Sequence, residues 1–190
     1  MNQRTRLLVA EHVKAPASLL EELGIDTPDL IDTEAIAQYC GATVVYDNLS
    51  GCEARILGNG SHAYITVNAQ SSTGRQRFSA AHELGHWMYD RGMIGLSCTE
   101  RTLASEWGGK NTERRANRYA ADLLLPASMF TEDARGLPPT FESAADLAHR
   151  YRTSLTATAI RLVDHGSFPS MVICSEKTSR KWFHRSPDLP

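Results

Sequence analysis

The chain has 190 residues, of which 42% are hydrophobic and 22% charged, ordinary proportions for one full globular domain with room for a small appendage. Its 20 Lys and Arg stand against 22 Asp and Glu, so it lacks the basic excess that marks a general nucleic-acid or membrane-surface binder. Four scattered cysteines, Cys40, Cys52, Cys98 and Cys174, form no C-x-x-C pair and no dense framework, which excludes a disulfide scaffold and favours a reduced, cytoplasmic setting.

In chain order, the apolar run Leu7–Ala10 is too short for a signal-peptide core or a membrane span. Pro16–Gly24 reads as a short helix or helix end, and Thr33–Cys40 has helical spacing that stops at Gly41. Ala42–Tyr46 is β-branched and predicts a strand. Ala54–Leu57 and Ala63–Val67 predict two more around a Gly58-Asn59-Gly60 turn, giving a small, mostly antiparallel sheet. Thr73-Gly74-Arg75-Gln76 has the form of a capping box. It opens a helix to about Tyr89, whose stripe of Phe78, His82, Gly85, His86 and Tyr89 is expected to face inward, beside the sheet. Gly92–Lys110 reads as a surface loop. A second helix spans Thr112–Leu125, capped by Asn111 or Thr112 and stopped by Pro126. Gly136-Leu137-Pro138-Pro139 reads as a linker, Phe141–Tyr151 and Leu155–His165 as two helices, and Met171–Cys174 as a last strand.

The chemistry is concentrated in His82-Glu83-Leu84-Gly85-His86, an H-E-x-x-H sequence. On a helix, residues four apart lie one above the other, so two imidazoles can bind one Zn²⁺, each at roughly 2.0–2.1 Å. Glu83 is not a ligand; it is placed to act as general base toward a water. Two histidines buried for packing alone are the plainer alternative, but a carboxylate between them favours a metal site.

Such a site needs a third protein ligand. The metzincin continuation H-x-x-G-x-x-H is excluded, because Tyr89 and Gly92 hold its positions. The downstream acids are Asp90, Glu100, Glu106, Glu113 and Asp122. Asp90 sits one turn beyond His86 on the same helix, where the metal is hard to reach. Glu100 and Glu106 fall in the expected loop, which fixes a ligand poorly. Glu113 opens the second helix and shares a face with Ala116, Asn117 and Ala120, small enough to let two helices approach closely. Asn117 is then placed to hydrogen-bond a ligand. A carboxylate at Glu113 that merely complements the helix dipole is the competing reading.

These residues resemble the ImmA/IrrE family of bacterial and phage metallopeptidases, H-E-x-x-H zinc peptidases of gluzincin-like type. The matching stretches are Arg77-Phe78-Ser79-Ala80-Ala81-His82-Glu83-Leu84-Gly85-His86 and Glu113 to Pro126, which carries E-x-x-A-N followed by Tyr119-Ala120 and Leu123-Leu124-Leu125-Pro126. Tyr119 stands where the family more often has Phe. The resemblance spans about residues 30–165. It implies His82, His86 and Glu113 as metal ligands, Glu83 as the catalytic carboxylate, and Zn²⁺ as cofactor, a nitrogen and oxygen site that also accepts Mn²⁺ or Fe²⁺. It implies a cytoplasmic peptidase that makes a specific cut in a helix-turn-helix repressor and so derepresses mobile-element, phage or stress genes. Some relatives carry a sensor-like C-terminal domain, which this chain is not expected to hold.

The expected fold is therefore α+β: a small sheet packed on the H-E-x-x-H helix and a second ligand helix, followed by a helix-turn-helix-like segment. Residues 1–135 are expected to form the metallopeptidase domain, and 136–190 a C-terminal helical segment with a final strand, packed on the same core. Tyr64, His62, Tyr89 and His149 are candidate oxyanion donors, and the strand ending at Asn68 is a candidate edge for an extended substrate. The alternative functions are a DNA-binding regulator and a non-catalytic toxin–antitoxin or scaffold component. Against the first, Arg150, Arg152 and Arg161 are balanced by Glu142, Asp146 and Asp164, so the helix pair has no basic face and no direct nucleic-acid contact is expected. Against the second, a scaffold needs no general base at Glu83.

Overall fold

The computed structural model describes residues 13–90, 98–177 and 179–189, and from 98 to 110 the backbone alone. Helix α1 (Pro16–Glu22) begins with proline in its first turn and buries Leu19 and Leu20. Helix α2 (Thr33–Tyr39) is capped by Asp32, whose carboxylate accepts from the amides of Glu34 and Ala35 at 2.9 and 3.1 Å. Gly41 follows at φ +77°, where a Cβ would also come within 3.0 Å of the Ser61 carbonyl, so the turn into the sheet requires glycine.

Strands β1 (Ala42–Asp47), β2 (Ala54–Asn59) and β3 (His62–Asn68) form a sheet in the order β1-β3-β2. β2 and β3 make the expected antiparallel hairpin, whereas β1 runs parallel to β3. The most apolar strand takes the centre: Ala63, Ile65 and Val67 of β3 are fully buried on one face. This corrects the expected substrate edge, since β3 is hydrogen-bonded on both sides and the open edges belong to β1 and β2.

Helix α3 (Thr73–Asp90) lies on the buried face of the sheet, where Ala80, Leu84, Trp87 and Met88 join Ile56, Ile65 and Val67 in one core. The Trp87 indole donates to the Cys40 carbonyl at 2.8 Å and pins the helix to the α2–β1 corner. The expected capping box is replaced by a different tie. The Gln76 amide donates to the carbonyls of Asn68 and Ala69 at 3.2 and 3.1 Å, fastening the start of α3 to the end of β3. The histidine stripe also departs from expectation: it faces the next helix, not the sheet.

That helix, α4 (Cys98–Leu124), is longer than expected. Residues 98–110 of the predicted loop are helical, and residues 91–97 lie outside the described residues. Gly108 and Gly109 each cost a helix about 1 kcal/mol, which extension of an already formed helix can absorb, one bond being gained per residue fixed. Asn111 and Thr112 therefore cap nothing, and Glu113 sits within the helix. The dipole reading of Glu113 falls with them.

Pro126 ends α4 and leads into α5 (Ala127–Asp133), a helix the sequence pattern did not reveal. Helices α6 (Phe141–Tyr151) and α7 (Leu155–His165) follow, capped by Thr140 and Ser154, which accept from the Ser143 and Ala157 amides, both at 3.2 Å. Strands β4 (Met171–Glu176) and β5 (Ser179–Arg185) form an antiparallel hairpin. Phe130, Leu147, Tyr151 and Leu162 centre a second core, against which Leu137 of the expected linker is packed, and Met129 packs against both cores. The two halves are tied further at Ile31, whose carbonyl accepts from Arg77 at 3.0 Å and from Arg152 at 3.5 Å. Among the described residues, no helix is long and apolar enough to cross a membrane, and Cys52 and Cys174 are free thiols.

The α3–α4 contact turns on Gly85. A Cβ there would meet Tyr119 Cβ at 3.0 Å and Ala116 Cα at 3.1 Å. Gly85→Val is therefore expected to lower stability by about 1–3 kcal/mol, read as a lower urea midpoint at unchanged m-value.

Candidate metal centre

The close approach at Gly85 and Ala116 sets α3 and α4 side by side and puts three predicted residues at one point. His82 Nε2 lies 3.2 Å from His86 Nε2, and Glu113 reaches both, with Oε2 3.3 Å from His82 Nε2 and Oε1 3.3 Å from His86 Nε2. All the candidate ligand atoms fall within 4.8 Å of one another. Burial is graded: the side chains of His86, His82 and Glu113 are 6%, 18% and 58% exposed.

The hydrogen bonds behind the rings decide their tautomers. His82 Nδ1 lies 3.0 Å from Asn117 Oδ1, and His86 Nδ1 lies 3.0 Å from Asp90 Oδ2. Each partner oxygen is an acceptor, so each Nδ1 carries a hydrogen, and in a neutral ring the Nε2 presents its lone pair. Burial, reinforced by the neighbouring His86, holds the His82 imidazole below its usual range and keeps it neutral. Two imidazole lone pairs and a carboxylate thus converge with no donor between them. One proton can bridge a single pair; a divalent cation satisfies all three. A tetrahedral ion with bonds of roughly 2.0–2.1 Å separates its donors by about 3.3–3.4 Å, and the three observed separations match. The residues present fit a metal ion.

Glu83, 8% exposed, lines a cleft of about 250 Å³ together with Phe78, Ser79, His82, Asn117 and Ala54 of β2. The Phe78 ring sits one turn before His82, with ring centroids 6.3 Å apart. None of the four candidate oxyanion donors lines this cleft. Tyr64 and His62 lie edge to face at 5.2 Å, with Tyr64 57% exposed on the sheet face turned away from α3. Tyr89 packs against Tyr119 and under Arg115, and His149 is exposed on α6.

Asp90 has a part that sequence reasoning missed. Not a candidate ligand itself, it stands behind one: one carboxylate oxygen meets His86 Nδ1 and the other is held by Arg115, whose guanidinium also covers the Tyr89 ring at 4.7 Å. The signal available was its position four residues after His86, on the same helix face. Arg115 gave none, since only the α3–α4 pairing brings it there.

A family model of the IrrE N-terminal-like domain matches residues 37–163. The chain belongs to this family. It is similar to the radiation response metalloprotease IrrE of Deinococcus deserti, 30% identical over 112 residues, which cover 57% of this chain and 38% of that protein. It is likewise similar to the protein of that name from Deinococcus radiodurans, 27% identical over 112 residues, covering 57% and 33%. The chain thus matches well under half the length of these relatives. Among solved structures, a Mycobacterium tuberculosis transcriptional regulator shares the fold with a TM-score of 0.64 at 19% identity, over 93% of this chain and 55% of that one.

Partners behind metal-binding histidines typically contribute 10–100-fold to metal affinity. Asp90→Ala is expected to weaken Zn²⁺ binding by about that factor, measured by competition against a chelating dye. An unchanged dissociation constant would show that Asp90 does not orient His86.

Proposed function

We propose that this chain is a metal-dependent endopeptidase in which His82, His86 and Glu113 hold Zn²⁺ and Glu83 is the general base. The observation that carries this reading is the convergence of three acceptor groups at 3.2–3.3 Å beside the cleft that holds Glu83. When bound, the ion would lower the pKa of a water toward about 7 and polarise the carbonyl to be cut. The chain supplies the rest. Glu83 takes the proton of the attacking water and returns it to the leaving amine. Asn117 and Asp90 keep both Nε2 atoms turned inward. The donor set also suits Mn²⁺ or Fe²⁺. Ala54, at the start of β2, borders the cleft, so an extended substrate adds to the open edge of β2.

Family membership and the metalloprotease names of the two relatives support the peptidase class. The finer reading rests on the ImmA/IrrE resemblance: a cytoplasmic enzyme that makes one cut in a helix-turn-helix repressor. On it, residues 1–135 form the catalytic unit and residues 136–190 complete its surroundings. The DNA-binding alternative loses support, because only Leu155, Thr156 and Asp164 of α7 are exposed, too few for a helix that must read base edges.

Glu83→Gln is expected to keep one Zn²⁺ per chain while cleavage of the partner repressor falls by roughly 10²–10⁴-fold; retained cleavage would sink the scheme. EDTA is expected to abolish cleavage by the unaltered chain, and added Zn²⁺ or Mn²⁺ to restore it, followed as one discrete product band. In gel-shift assays with promoter DNA at moderate salt, no tight, salt-sensitive complex is expected.

A further inference from the structure

A second, larger cleft of about 930 Å³ opens between α3, α4 and α7. It adjoins the first, because Arg75, Phe78 and Asn117 line both. Its volume lies within the roughly 300–1,000 Å³ typical of sites that enclose a small ligand. Its apolar lining comes from Phe78, Ala121, Ala157, Ile160 and Pro187. Phe78 therefore joins this lining to the ring of His82, one turn away.

The charged groups around it are unevenly matched. Asp122 is held by Arg161 at 2.9 Å and approached by Arg118 at 3.5 Å, and Asp164 is held by His184 at 2.6 Å. Asp122 is thus paired with arginine twice over, and Asp164 is hydrogen-bonded to the His184 ring. Arg118, its side chain 85% exposed, shares a carboxylate already taken by Arg161, and Arg75 meets Glu53 only at 3.8 Å. Of the three arginines that line the cleft, Arg118 is the most exposed, a cation facing solvent beside an apolar floor.

We propose that this cleft is the specificity site of the peptidase. Its occupant is a short stretch of substrate carrying a large apolar side chain, Leu- or Phe-like, next to the cut bond and an acidic residue beside it, facing Arg118. Lysine or arginine in the apolar position would bury a charge without a partner. The proposal rests on the peptidase reading above. It gives α7 a role that its likeness to a recognition helix conceals: Thr156, Ala157, Ile160 and Asp164 form a wall of the cleft.

The test uses the full chain, Zn²⁺-loaded and carrying Glu83→Gln so that nothing is cut. Capped hexapeptides differing only in one central residue (Leu, Phe, Asp or Lys), each with and without an adjacent Glu, are titrated while the methyl signals of Ala121, Ala157 and Ile160 are followed by NMR. The Leu and Phe peptides are expected to shift these methyls, more strongly with the Glu, and the Asp and Lys peptides to leave them in place. Ile160→Glu is expected to weaken binding by roughly tenfold or more. Should that variant fail to fold, Thr156→Trp at an exposed position fills the cleft to the same effect. Arg118→Glu is expected to transfer the flanking preference from Glu to Lys. Methyls that stay fixed, or that move equally with all four residues, overturn the proposal. Zinc content and repressor cleavage by the unaltered chain report the peptidase reading separately. Zinc bound and repressor cut with still methyls refutes the cleft alone; apolar selectivity without zinc or cleavage refutes the enzyme and leaves a peptide-binding cleft.

Discussion

Everything at the candidate site depends on how closely two helices approach. A metal centre assembled from two helices tolerates little error, because its donor separations follow from bond lengths near 2 Å. Here the tolerance is set by Gly85 against Ala116 and the Cβ of Tyr119. With no side chain at the crossing, α3 and α4 meet backbone to side chain, and Glu113 comes level with His82 and His86. The sheet supports this from behind. Trp87, bonded to the Cys40 carbonyl, and Gln76, bonded to Asn68 and Ala69, fix both the rotation and the start of α3, and so the direction in which its histidines point.

The outer hydrogen bonds complete the arrangement. Asn117 and Asp90 are each an acceptor placed behind a ring, and each forces its imidazole into the tautomer that frees Nε2. The same helix pair therefore supplies the candidate ligands and the groups that aim them. Glu83 needs no partner helix. Its place next to His82 sets it on the cleft that His82 shares with Asn117.

Local patterns were the legible part. The two histidines, the intervening carboxylate, the strands around Gly58-Asn59-Gly60 and both C-terminal helices all leave marks within a few residues: helical spacing, β-branching, a cap, a stop. Glu113 and Asn117 were legible because they share a helix face with two alanines. What could not be read were relations between distant segments. Nothing local says that β1 pairs with β3 in parallel, that the histidine stripe turns to α4 and not to the sheet, or that Arg115 reaches Asp90. The predicted loop before Glu113 failed for another reason: two glycines carry a loop signal, yet a helix already under way can include them.

The junction at Ile31 has a consequence for how the molecule comes apart. One buried carbonyl serves guanidiniums from both halves, Arg77 of α3 and Arg152 of the α6–α7 turn, while Gly74 lies so close to the Thr153 backbone that a Cβ there would come within 3.0 Å of it, and Met129 packs against both cores. Loosening the C-terminal helices would strip the start of the histidine-bearing helix of its support. Ties of this kind bind the two cores into one unit, for which a single melting transition and common protection of the slowest-exchanging amides are the expected signs.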